Sequence, residues 1–225
     1  IEGSPSKIQK INFTYDVLGR ITAEIKPLDT LAYPTKVYTY EFDGAPPEKV
    51  KVQLREQNET ANTLDMYEFI DGLGKVIQTK IEAENGKQIV EDTFYDDRQL
   101  VKSRSNKYST LFEEGYTAPS STGNWTNFTY DALERPIIII NPDDSEQRFV
   151  YDLWNETQID AQGNLKEIIR DAYSQIIRVL EYNLSPANYI TDYFYDTRGA
   201  LVNVSDAAGN MFNTTFDLAG RKRLE

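Results

Sequence analysis

Hydrophobic and polar positions alternate along most of this chain with the period of two that places successive side chains on opposite faces of a strand. Ile11, Phe13 and Tyr15 lead into Asp16-Val17-Leu18-Gly19-Arg20, and Ile21, Ala23 and Ile25 alternate out of it against Thr22, Glu24 and Lys26. The same ending returns in Phe128-Thr129-Tyr130-Asp131, Phe149-Val150-Tyr151-Asp152, Ile169-Arg170-Asp171, Tyr193-Phe194-Tyr195-Asp196 and Thr215-Phe216-Asp217. Weaker copies run through Tyr38 to Gly44, Met66 to Ile77 with Asp71 and Gly74, and Thr93-Phe94-Tyr95-Asp96. From Asp131 to Asp217 the aspartates recur every 19 to 25 residues, one two-stranded unit per copy.

The phrase has a physical reading. Aspartate at the first position of a turn accepts a backbone hydrogen bond two residues on, and glycine three later supplies the positive φ that closes the loop. Tyr15-Asp16-x-x-Gly19-Arg20 is therefore the tip of a β-hairpin, as are the units closing at Gly199 and at Gly220-Arg221. Glu134 (followed by Arg135), Asn155, Ser174 and Gln99 occupy the glycine slot elsewhere, and Ile70, Arg170 and Phe216 replace the tyrosine. Return turns are expected at Asn85-Gly86, Asn141–Ser145, Asp160–Asn164 and Asp206–Asn210. Residues 165–182 carry apolar positions at near-helical spacing, but Asp171 stands in register with the turn phrase, which favours strands. The expectation is an all-β chain of consecutive antiparallel hairpins forming one long curved sheet, with a ladder of tyrosine rings packed across it. Hairpins fill 1–102 and 127–225. Residues 103–126, rich in Ser, Thr, Asn, Gly and Pro, read as a long loop or insertion.

Composition narrows the functions. A formal charge of −12 argues against nucleic acid and anionic membranes as partners. The absence of Cys and His excludes thiol chemistry, a Ser-His-Asp triad and Cys-based zinc sites. No run is long enough to span a membrane. The start, Ile1 to Pro5, resembles no signal peptide and lacks an initiating Met, so an excised piece of a longer chain is expected. Hydrophobic residues make up 40% and mean hydropathy is −0.56, so the interior is not expected to be uniformly apolar.

The recurrent aspartates lie about one repeat apart and read as a row of turn caps; a hard cation needs oxygens converging from one short loop. Local clusters at Asp92, Asp96 and Asp97 and at Asp143, Asp144 and Glu146 read as solvated turns. No cofactor and no catalytic group is expected. Sequons begin at Asn12, Asn58, Asn124, Asn127, Asn155, Asn183, Asn203 and Asn213. Part of that excess follows from threonine's preference for strands, and in a bacterial chain they are expected to be unmodified. Tyr116 and Trp125 in the 103–126 segment are the candidate ligand contacts.

The wording of Tyr130–Pro136 with Asn141-Pro142-Asp143, of Phe69–Gln78 and of Asp206–Asn210 resembles the YD, or Rhs, repeats of very large secreted or surface proteins, among them bacterial Rhs proteins, the B components of insecticidal toxin complexes, and teneurins. The resemblance covers nearly all of the chain outside 103–126. It implies a strip of hairpins wound into a hollow shell that can enclose a toxic C-terminal polypeptide, with flanking repeats of the same chain and that polypeptide as partners, and a secreted or cell-surface location. It also implies the alternative of a surface recognition module that binds a glycan or a receptor. Nothing resembles the family's Asp-Pro-x-Gly self-cleavage segment. Open strand edges at both ends predict further repeats or a cap, and edge-to-edge oligomers of an isolated piece.

Overall fold

The computed structural model describes residues 10–57, 60–119, 123–182 and 188–223. Ile1 to Pro5 and the sequons at Asn58 and Asn183 lie outside them. The described residues contain no helix and eighteen strands, paired antiparallel, in two compact units, Ile1–Trp125 and Thr126–Glu225.

In the first unit β1 (Asn12–Tyr15), β2 (Ile21–Ile25), β3 (Lys36–Glu41), β4 (Glu48–Arg55), β5 (Thr63–Ile70), β6 (Val76–Ala83) and β7 (Lys87–Tyr95) pair each with the next. Beyond them β8 (Val101–Ser105) lies along the end of β7 while β9 (Tyr108–Leu111) lies along its beginning. Together they make one interrupted strand against β7. In the second unit the chain meanders without a crossover through β10 (Trp125–Tyr130), β11 (Pro136–Ile140), β12 (Glu146–Asp152), β13 (Asn155–Ile159), β14 (Leu165–Arg170), β15 (Ile176–Tyr182), β16 (Tyr189–Tyr195), β17 (Leu201–Ser205) and β18 (Met211–Asn213). Residues 165–182 are two strands and not a helix.

The turns form as their chemistry dictates. Asp16 N–H donates to the Arg20 carbonyl and Gly19 N–H donates to the Asp16 carbonyl, so three residues close the loop. Asp16 Oδ1 accepts from the amides of Leu18 and Arg20, both at 2.9 Å, and Oδ2 takes Arg20 Nε at 2.7 Å. The αL position in the glycine slot is kept even without glycine: Gln99, Glu134 and Ser174 hold φ of 65°, 65° and 64°. That conformation costs an L-residue about 1–2 kcal/mol, which the aspartate bonds offset.

Each of these hairpins also carries a β-bulge that alternation alone did not indicate. Thr14 pairs with Ala23 and Tyr15 with Ile21, which leaves Thr22 without a partner. Ile77, Lys102, Ile137, Ile177 and Val202 are skipped in the same way. A bulge past each of these six tips bends the strand and steepens its twist locally, while the β12–β13 hairpin has none.

The two units differ in what they bury. The first holds Ala23, Ile25, Val50, Tyr67, Phe69 and Val90, together with the polar Gln78, Lys80, Gln88, Asp92 and Ser105, at 9% exposure or less. Among the described residues of the second unit no side chain is buried to that degree. A single sheet without a covering layer rests on its backbone ladder and on contacts between neighbouring hairpins.

Candidate functional site

Two constellations of polar side chains stand out, one repeated along the turns and one unique to the first unit. Asp71, Asp96, Asp131, Asp171, Asp196 and Asp217 all make the Asp16 turn, each Oδ1 accepting the amides two and four residues on. Arg135 and Arg221 close on Asp131 and Asp217 as Arg20 does on Asp16. The return turns use the same loop with asparagine in the arginine position, Asn164 Nδ2 on Asp160 Oδ2 at 2.8 Å and Asn210 Nδ2 on Asp206 Oδ2 at 2.7 Å. Asp152 is the exception. It sits inside β12 opposite Asn155, and the hairpin turns in two residues, Leu153 and Trp154. Asn155 is therefore a strand residue and not a turn closer; once Asp152 and Asn155 pair directly, no room is left for a three-residue loop.

Each turn aspartate spends its oxygens on its own loop, and among the described residues no three acidic side chains converge as a metal site would need. The backbone amide of Arg20 leads in holding Asp16 below its ordinary 3.8, as the amides of Leu100, Ala200 and Arg221 do for Asp96, Asp196 and Asp217. The Asn164 and Asn210 side chains lead for Asp160 and Asp206. A carboxylate whose folded value lies below its unfolded one contributes stability that is complete above the unfolded value and disappears as pH falls through the folded one. The urea midpoint should therefore be insensitive to these groups above about pH 5 and should drop below about pH 4. Asp196→Asn should flatten that drop, and an unchanged acid limb in this variant would count against the turn carboxylates as its source.

The motif tyrosine joins one hairpin to the one before it. Tyr40, Tyr95, Tyr151 and Tyr195 each donate the hydroxyl to a backbone carbonyl at the base of the preceding tip, that of Ile21, Val76, Pro136 and Ile176, at 2.9–3.0 Å. The cation of the preceding tip lies over the ring, Arg20 at 4.3 Å from Tyr40, Arg135 at 4.1 Å from Tyr151 and Lys75 at 5.6 Å from Tyr95. This corrects the expected ladder of rings. The ring pairs found among the described residues are Tyr40–Phe42, Tyr67–Phe112, Phe69–Tyr116 and Phe94–Trp125, none of them between two motif tyrosines. Strand alternation pointed to the ring face, but the hydroxyl and the stacked cation set the position. Tyr40, in the weaker copy Tyr38 to Gly44, does not stand out in the sequence as a motif tyrosine because Glu41 follows it where Asp is usual. Removing one hydroxyl with Tyr195→Phe should cost about 1 kcal/mol in urea unfolding, the typical net value of a hydrogen bond.

The second constellation lies under the segment read as a loop. Residues 112–117 cross one face of β5, β6 and β7 as a strap, held by side chains from below. Lys80 Nζ donates to the carbonyls of Glu113 and Gly115. Gln78 grips Thr117 at both ends of its amide, Nε2 to the carbonyl at 2.8 Å and Oε1 from the amide at 3.2 Å. Gln88 Oε1 accepts from Glu113 N–H at 3.2 Å, and Lys49 Nζ pairs with Glu114 at 3.0 Å. Phe112 and Tyr116 pack against Tyr67 and Phe69 at 6.2 and 5.7 Å. Beneath them Asp92 Oδ1 accepts from Gln78 Nε2 at 2.6 Å and Oδ2 from the Tyr108 hydroxyl at 2.7 Å. Burial pushes the Lys80 ammonium below its usual value, against the pull of Glu113 and Asp92. Burial, then the bond to Asp92, pushes the Tyr108 phenol up. With Lys80 and Asp92 fully buried, Lys80 bonded to the strap and Asp92 to Gln78 and Tyr108 beneath it, the arrangement fastens a segment to the sheet.

Of the two candidate ligand contacts, Tyr116 spends one side on Phe69 as part of the strap, and Trp125 lies on Phe94 at 5.2 Å with 34° between planes.

No family model and no curated protein sequence matches the chain. Solved structures do. The chain is similar to a TcdB2-TccC3-Cdc42 structure with a TM-score of 0.72 at 13% identity, over 95% of this chain and 18% of that one. It is similar to TcdB2-TccC3 without its hypervariable C-terminal region with a TM-score of 0.62 at 17% identity, over 79% and 12%. A third likeness is to the Tc holotoxin pore of Photorhabdus luminescens, with a TM-score of 0.61 at 16% identity, over 80% and 12%. At these identities the likeness is one of fold, and the chain spans less than a fifth of each of those proteins.

Proposed function

We propose that this chain is a non-enzymatic length of wall, a run of hairpins from a shell of the YD, or Rhs, repeat kind that encloses or holds another polypeptide in a large secreted or surface protein. The observation that carries the reading is the join between hairpins. A tyrosine hydroxyl bonded to the preceding tip recurs at four hairpins, with a cation stacked on the ring at three of them, so this polar chemistry is directed from one hairpin to its neighbour. Such a structure gains area by adding copies, since each unit buries its contacts only against adjacent ones. The likeness to one stretch of much longer toxin-complex chains supports it.

In the full product of the reading frame that contains this chain, a polypeptide following the repeats should resist added protease until the sheet is unfolded, and the chain should turn over no glycan. Equal cleavage of that polypeptide in the folded and the unfolded protein would defeat the wall. Glycan-array binding that disappears with Trp125→Ala or Tyr116→Ala would establish the recognition module in its place.

A further inference from the structure

The loop chemistry demands aspartate at the first position and positive φ at the fourth, and it leaves the two residues between them unconstrained. In the second unit those free positions are apolar at one rim only. The tips at that rim come in the order Leu133, Leu153 with Trp154, Tyr173, Arg198 and Leu218. Leu133 is 72% exposed, Leu153 92%, Tyr173 85% and Leu218 fully. The described return turns at the opposite rim carry Pro142-Asp143-Asp144, Ala161-Gln162 and Ala207-Ala208, with no large apolar side chain. The first unit does not share this bias: Val17, Leu18 and Leu73 are exposed at its tips, but Asp97-Arg98 stands at another tip and Leu28 and Leu31 are exposed at the opposite rim. A turn gains nothing from leucine held in water, and a row of such side chains marks a surface that meets something.

We infer that this rim of the second unit pairs with the same rim of a second copy of the chain about a two-fold axis at Tyr173. The order of the tips is what points to a second copy. Successive tips are two strands apart, roughly 10 Å, so the row runs over about 40 Å at equal spacing. A two-fold through the middle tip brings Leu133 against Leu218, Tyr173 against Tyr173, and Trp154 against Arg198. Every apolar end then meets an apolar end, and Arg198, whose guanidinium is held by Asp196 Oδ2 at 2.9 Å and by the Asp217 carbonyl at 3.3 Å, lies opposite the one indole, whose face attracts a cation. An isologous interface requires this self-complementarity of its patch. The area is also sufficient. The two aromatic side chains cover roughly 150–250 Å² each, and with the three leucines and Arg198 the six side chains of the five tips come to about 800 Å² on each copy, the share of one partner in an interface of standard size. An anionic bilayer is a poorer match, because Asp131, Asp171, Asp196 and Asp217 stand at the base of the tips in a chain of net charge −12. This association uses the tips and not the open edge strands, and it does not depend on the wall reading.

The chain contains no cysteine, which makes the geometry directly testable. Tyr173→Cys should form a disulfide-linked dimer under mild oxidation, since the residue faces itself across the axis, while Gln162→Cys at the opposite rim should form no disulfide. In sedimentation velocity at about 50 µM the unmodified chain should run as a dimer. Tyr173→Asp, which is present twice at the interface, should raise the dissociation constant at least about 100-fold without changing the circular dichroism spectrum. A monomer at that concentration, or cross-linking of Gln162→Cys as fast as Tyr173→Cys, overturns the proposal. Binding to phosphatidylcholine vesicles that is lost in Tyr173→Asp while the unmodified chain remains monomeric in solution would assign the rim to lipid and overturn it equally.

Discussion

Lys80→Ala should destabilise the protein by about 3 kcal/mol in urea unfolding, among the largest effects expected of one substitution here. The side chain is fully buried, and its ammonium is the donor for the carbonyls of Glu113 and Gly115. Hydrogen bonds from a charged donor contribute about 1.5–3 kcal/mol each, and part of that sum is offset by the cost of keeping an ammonium out of water. Truncation removes the donor, opens a void beside Phe69 and leaves two carbonyls facing it. The loss should be local before it is global, so that amide exchange across residues 112–117 accelerates more than exchange in β5 and β6. Lys80→Met separates the causes. It fills most of the volume but cannot donate, so it should recover the packing share of the loss and leave the strap amides fast. A methionine variant as protected as the original would mean that packing alone, through Phe112 and Tyr116, holds the strap.

Asp92→Ala should cost a similar amount, about 3–4 kcal/mol, by a different route. Here the acceptor disappears, and one hydrogen of the Gln78 amide, whose other bond goes to the Thr117 carbonyl, and the Tyr108 hydroxyl lose their partner in the interior. Leaving a buried donor unpaired costs about 1–3 kcal/mol, and two are left in this case. Asp92→Asn should fall between the extremes. Its carbonyl oxygen can take one of the two donors, and its amide sets a donor against the other. Because Gln78 also grips Thr117, Asp92→Ala should loosen the strap at its 117 end, whereas Lys80→Ala should loosen it at 113–115. Hydrogen exchange resolved along the segment distinguishes the two, and identical exchange patterns in both variants would show that the strap opens as one piece.

The contrast between the units gives these predictions their setting. In the first unit a polar face is sealed by a segment of the same chain. In the second no described side chain is fully buried, and large apolar residues including Phe194, Phe212 and Leu153 remain exposed. The same hairpin phrase therefore builds a sheet with a polar face under residues 112–117 in one place and, among the described residues, a sheet with no fully buried side chain in the other.

What the sequence determined by itself was everything confined to a few consecutive residues. Asp16, Asp131 and Asp196 turn the chain because an aspartate reaches amides only two and four positions away, and no distant residue has to be in place first. Strand alternation is equally local, which is why the all-β class and the tips were legible, and why Asp152 misled: its phrase is right, but direct pairing with Asn155 pre-empted the loop. The tertiary structure decided what joins the hairpins. Tyr195 finds Ile176 across 19 residues, and Gln78 finds Thr117 across 39. A bulge at six of the tips shifts which residues stand opposite one another, and nothing in a period of two announces it. Gln78, Lys80 and Asp92 carry the polar spelling of a solvated face, and they are buried only because a distant segment brings carbonyls and amides down onto them. Burial of a charge depends on who arrives to satisfy it, and that is a property of the folded register.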